Sequence, residues 1–145
     1  HRRSSAASDV YKRQKDISDM HQKFGVNKWF TKNKSNKEIM KKYLMFRMLM
    51  LNEELHETMQ AVNSENPEEI VDGLIDICVF AIGTLNVLEV DADKAWDAIH
   101  NANMAKEPGV KAGRPNPFGM PDLLKPEGWK GPDHSDNHGS ISDIL

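Results

Sequence analysis

Cys78 is the only cysteine in this 145-residue chain, so no internal disulfide can hold the fold and a packed core has to. A lone cysteine suits a reducing compartment, and a cytoplasmic location is expected. An excess of one charge is also missing. Nineteen Lys and Arg against 22 Asp and Glu leave a formal charge of -3, which removes the bulk electrostatic case for a nucleic-acid partner. No uninterrupted apolar run approaches the roughly 18 residues of a membrane span, so no membrane partner is expected. The start, His1-Arg2-Arg3-Ser4-Ser5, has basic residues without the apolar region of a secretory signal. Strand-like alternation and internal repeats are absent too, which argues against a β architecture or a solenoid.

What the chain does have is helical periodicity. Residues 1–19 lack it and are expected to be a non-native or disordered leader, with Met20 as the natural start. A weak helical pattern over 19–32 runs through Met20, Phe24, Trp29 and Phe30, interrupted at Gly25. The capping-box pattern Ser35-Asn36-Lys37-Glu38 opens a long helix to about residue 62, carried by Ile39, Met40, Tyr43, Leu44, Met48, Leu51, Leu55, Met59 and Val62. Between Leu44 and Leu51 only Arg47 is polar, so that stretch is expected to be covered on both sides, in part by another subunit. Asn66 as N-cap and Pro67 at the first helical position start a second helix to about Leu88. Asp91 caps a further one over about 92–105, and from Pro108 onward Gly and Pro prevent any long element. The expectation is an all-α domain of four to five helices over 20–106, with a Gly/Pro-rich tail over 107–145. Met45, Met48 and Met50 are read as core or interface residues, and Cys78 as a buried core thiol.

The chemistry concentrates in acids that interrupt these apolar helices. Glu53, Glu54 and Glu57 fall on one edge of the long helix, a turn apart, with Glu57 about 40° from Glu53 and about 60° from Glu54. On the next helix Asp72 and Asp76 lie about 40° apart, with Glu69 in phase with Asp76 and Gly83 continuing the stripe. Lysine, plentiful at 32–42, is absent from 43 to 93, so these acids have no obvious cationic neighbour. Clustered carboxylates on packed helices call for a cation, and oxygen-only ligands suit a hard divalent ion. His56 makes a single Glu-x-x-His pair with Glu53, where a di-iron bundle would need two, and reads as a partly exposed polar residue.

The pattern Glu53-Glu54-x-x-Glu57, followed about a dozen residues later by either Glu69-x-x-Asp72, which fits the bare spacing, or Asp72 and Asp76, which fit the usual context and are favoured, resembles the MazG-like all-α nucleoside triphosphate pyrophosphohydrolases. Their relatives include dimeric dUTPases and phosphoribosyl-ATP pyrophosphohydrolase. Asn101-Ala102-Asn103-Met104-Ala105-Lys106 resembles the substrate-contacting Asn-Met-x-Lys stretch of the same families, and the tail from Gly113 to Pro132 is similar to that of phage-type members. The resemblance implies a MazG-like homo-oligomer, dimer or tetramer, that hydrolyses a (deoxy)nucleoside triphosphate to monophosphate and pyrophosphate by water attack at the α-phosphate. It also implies Mg²⁺, with Mn²⁺ as the alternative, held by Glu53, Glu54, Glu57, Asp72 and Asp76. Glu54 or Glu53 would serve as general base, while Asn103, Lys106, Arg114, Lys125 and Lys130 would face the nucleotide. Trp29, Phe30, Trp96 and Asn103 are the candidates for a base pocket, although each aromatic also reads as core.

Three other readings stay open: phosphoribosyl-ATP hydrolysis by the same chemistry, a di-iron helical bundle, and a non-catalytic helical interaction module.

Overall fold

The computed structural model describes residues 3–114 and 116–145, with side chains from residue 12 onward. Among the described residues the elements run α1 (Arg3–Lys23), α2 (Val26–Asn33), α3 (Lys37–Asn63), α4 (Pro67–Val87), α5 (Ala92–Met104), β1 (Glu107–Gly109), β2 (Asp122–Leu124) and α6 (Ile141–Ile144). The chain is all-α apart from one short hairpin. The expected leader falls partly outside the described residues. From Lys12 on, α1 contributes Ile17 and His21, 6% and 4% exposed, to the interior.

The chain forms two compact units, residues 1–92 with 138–145, and residues 93–137. In the first, α3 and α4 make the main helix pair, and α1 and α2 both pack against α4. Both long helices start where the sequence can cap them. The Asn36 side chain accepts the Ile39 amide at 3.1 Å, and Asn66 accepts that of Glu69 at 3.3 Å, with Pro67 next in the chain. The cap of α3 is thus Asn36, one residue inside the expected Ser35.

The core of this unit gathers Phe30, Met40, Val87, Leu88 and Ile144, of which Met40 and Leu88 are fully buried. Ile144 reaches it because the last eight residues return to the helical unit. The Ser140 amide donates to the Leu88 carbonyl at 2.7 Å, and its hydroxyl to Glu89 at 2.6 Å. This strap seats on the turn after α4, where Glu89 adopts a left-handed φ of 60°.

The expected burial of Cys78 needs correcting. Cys78 is exposed, not a core thiol, because it lies on a side of α4 that nothing in this unit covers. Met45, Phe46 and Leu49 on α3 and Val71, Leu74 and Ile75 on α4 are likewise exposed, all above half. By length and composition α4 could also cross a membrane, with a mean hydropathy of 1.8. Asp72 and Asp76 break a strict apolar run there but do not outweigh the average.

The second unit holds most of α5, the hairpin and the loop after it. Glu107 pairs with Leu124, Pro108 with Leu123 and Gly109 with Asp122, in antiparallel register. Neither strand is legible in the sequence, since three residues are too few to show an alternation.

Candidate active site

Small residues bring α3 and α4 together. Gly73 packs directly on Thr58, leaving no room for a Cβ at position 73. The Thr58 hydroxyl donates to the Glu54 carbonyl at 2.7 Å, which holds its side chain against its own helix. Nearly three turns further along, Gly83 leaves space for Arg47 and His21, at 3.2 and 3.4 Å from where its Cβ would stand. Arg47 donates through Nε to the Thr84 hydroxyl at 2.9 Å and through Nη2 to the Phe80 carbonyl at 3.1 Å, and lies 4.6 Å from the Phe80 ring centre. His21 of α1 closes that end with an Nδ1 contact of 2.8 Å to the Asn86 side chain. The pairings Thr58–Gly73 and Arg47–Thr84 fix antiparallel helices.

That register sets Glu54 opposite Asp76. Glu54 is half-buried, and its carboxyl is held above the ordinary value of 4.5, first by burial, then by the negative charges of Asp76, Glu57 and Glu53. The expected grouping of Glu53, Glu54 and Glu57 with Asp76 is therefore felt electrostatically at one carboxyl. Asp72, exposed, stands a turn from Asp76 beside the Gly73 contact. Glu69 lies in the first turn of α4, about 10 Å along the helix from Asp76.

Among the described residues, none of the ion pairs involves these acids, and no three acidic, His or Cys side chains converge as a metal cage. An open set of hard oxygen donors, mutually repelling and without a cationic partner, fits a divalent ion that keeps waters and shares its coordination with substrate phosphates. His56 is exposed and meets Gln60 at 3.2 Å, away from any second Glu-x-x-His pair.

The expected substrate contacts belong to the second unit. Lys106 donates to the Asn103 side chain at 2.8 Å and lies 5.4 Å from the Trp129 ring centre, while Lys125 lies 4.8 Å from the same ring. Trp129 is a residue whose role the sequence pattern does not single out. Its one local signal is the preceding Lys125-Pro126-Glu127-Gly128 turn, in which Gly128 takes a φ of 74° and the Trp129 amide returns to the Pro126 carbonyl. Arg114 is brought elsewhere, 3.8 Å from the buried carboxylate of Asp122, which also accepts the Lys111 amide at 3.1 Å. Lys130 is exposed. Of the aromatics considered for a base pocket, Phe30 is core, Trp29 packs on Tyr43 with ring centres 5.0 Å apart, and Trp96 is 68% exposed, so it is not core.

The family model of phosphoribosyl-ATP pyrophosphohydrolase matches residues 17–103. The match spans α2, α3, α4 and nearly all of α5, including every acid of the set and Asn103. The chain belongs to this family, within the MazG-like all-α pyrophosphohydrolases, enzymes that act on nucleotide phosphoanhydrides and typically use a divalent metal. Comparisons with curated proteins and with solved structures give no match. The family match ends before the tail on which the phage-type likeness rests.

Proposed function

We propose that this protein hydrolyses the α–β phosphoanhydride of a purine or pyrimidine nucleotide, releasing pyrophosphate and leaving a nucleoside monophosphate moiety. The observation that carries the reading is the Glu54 carboxyl facing Asp76 across the α3–α4 seam, flanked by Glu53 and Glu57, in a chain of this family. A polyphosphate is itself strongly anionic, so these acids attract it only through a cation. A divalent ion, Mg²⁺ or Mn²⁺, would neutralise the phosphate oxygens and acidify bound water. Glu53, Glu57, Asp72 and Asp76 are the residues to hold it. Glu54, half-buried on the α3 face that carries Glu53 and Glu57, is suited to accept the proton from the attacking water. Asn103 and Lys106 are assigned to the substrate, with Lys125 and Lys130 as further cations and Arg114 as a weaker candidate because Asp122 engages it.

Two substrate classes are in play. A (deoxy)nucleoside triphosphate is supported by the resemblance of the acid motif, and phosphoribosyl-ATP by the description of the family that matches residues 17–103. Both yield pyrophosphate by the same attack. Pyrophosphate release with Mg²⁺ from a panel of nucleoside triphosphates and phosphoribosyl-ATP tests the reading. Turnover of either class supports it, and no turnover on any member by folded protein would sink it.

The exposed apolar residues of α3 and α4 are assigned to a second copy of the chain, giving a homodimer or a pair of dimers in the cytoplasm. Monomer mass in solution, or partition into membranes through α4, would contradict that assembly.

A further inference from the structure

We propose that Trp129 is a positioning residue that holds Lys106 and Lys125 together as a two-cation site for a pyrophosphate group. The indole is fixed first. Its Nε1 donates to the Ala102 carbonyl at 2.8 Å, in the last turn of α5, and Ala102 is buried. That bond ties the ring to the same turn that carries Asn103 and leads into Lys106. The two ammonium groups then lie 5.4 and 4.8 Å from one ring centre. They come from positions 19 residues apart, so local helix geometry does not impose their meeting.

Like charges brought together repel, and here none of the ion pairs among the described residues neutralises either lysine. The indole quadrupole offsets part of that repulsion, and the Asn103 side-chain oxygen accepts from Lys106 at 2.8 Å. What remains is two ammonium groups held by one ring within about 10 Å of each other, beside an amide, chemistry that suits an anion able to span two cations, such as pyrophosphate. A ring already approached by two ammonium groups is a poor free platform for stacking a base. The ligand is therefore the leaving pyrophosphate end of the substrate and not the nucleobase. Assigning the anion to that end of the substrate rests on the function proposed above.

The test uses the full chain with Trp29→Phe and Trp96→Phe, which leaves Trp129 as the only tryptophan. Inorganic pyrophosphate is titrated without divalent metal while indole emission is followed. A saturable change, weakened by salt and abolished by Lys106→Gln with Lys125→Gln, is expected. In otherwise native protein, Trp129→Leu should weaken pyrophosphate binding by calorimetry, and raise KM, about tenfold with kcat within about twofold. Trp129→Phe, which keeps a ring, should recover much of that loss.

Absence of pyrophosphate binding by folded protein would overturn the proposal, as would Trp129→Leu and Trp129→Phe that bind like the native chain. Nucleotide turnover with a KM indifferent to Trp129 would remove the inference and leave the hydrolase reading standing. Pyrophosphate binding with the stated dependences, but no nucleotide turnover, would support the anion site and defeat the hydrolase reading instead.

Discussion

Gly73 of α4 lies so close to Thr58 of α3 that a methyl group at position 73 would collide with the threonine hydroxyl. This contact sets how near the two acid-bearing helices come and which residues face each other. Gly73→Ala should therefore cost stability, roughly 1–3 kcal/mol by overpacking, although alanine is the better helix former. It should also lower activity, because Glu54 and Asp76 separate with the helices. Adding Thr58→Ala, which removes the colliding hydroxyl, should recover most of both losses. Denaturant unfolding and turnover of the two single variants and the double variant check this; additive losses would show that the contact does not set the spacing.

Glu54 carries a penalty that the native fold accepts. Its carboxyl is raised in the folded protein, so the folded state binds the proton more tightly than the unfolded chain does. Stability therefore falls as pH rises from the ordinary value of 4.5 through the raised one, and the full penalty is present above it. With chelator present, Glu54→Gln should equal or exceed the native protein in thermal stability at neutral pH. That advantage should vanish below the ordinary carboxylate range. Its activity should fall by roughly 100-fold or more. A variant less stable at neutral pH would mean that the carboxylate has a partner which compensates its charge.

Much of this arrangement is legible in the order of residues alone. Asn66-Pro67 announces the start of α4, and the phase of Glu53, Glu54 and Glu57 on one edge of α3 follows from helical geometry. The closest approach is harder to see. Gly83 is legible as a small residue on the acid stripe, but the tighter contact is at Gly73, which depends on where Thr58 falls across the seam. Cys78 and Trp96 look like core residues because an apolar composition does not say which side of a helix is covered. The contacts of Trp129 and the hairpin are not legible for a different reason: they are organised by tertiary contacts within a Gly- and Pro-rich tail that carries no period.

Asp76 and Glu69 separate two readings of the acidic motif. Glu69-x-x-Asp72 fits the bare spacing, yet Asp76 is the α4 acid whose charge reaches Glu54. Asp76→Asn should reduce kcat/KM by roughly 100-fold or more, with Glu69→Gln within about threefold of native. Metal affinity, followed by a Mn²⁺ titration, should weaken in the same order. The reverse ranking would move the site one to two turns toward the start of α4.

The strap of residues 138–145 is structural in the helical unit. Ile144 is 5% exposed and packs in the same core as Met40 and Leu88. Ile144→Ala should cost about 2–5 kcal/mol while leaving the KM of the remaining folded enzyme unchanged. Thermal unfolding and steady-state kinetics below the transition decide the point. A changed KM with unchanged stability would give this segment a role at the substrate instead.

Water attack at the α-phosphorus leaves its mark in the position of solvent oxygen in the products. Turnover is run in ¹⁸O-labelled water with Mg²⁺ and whichever nucleotide the panel selects, and the products are weighed by mass spectrometry. One ¹⁸O is expected in the monophosphate product and none in the released pyrophosphate. Label in the pyrophosphate, or release of single phosphate groups, would contradict it.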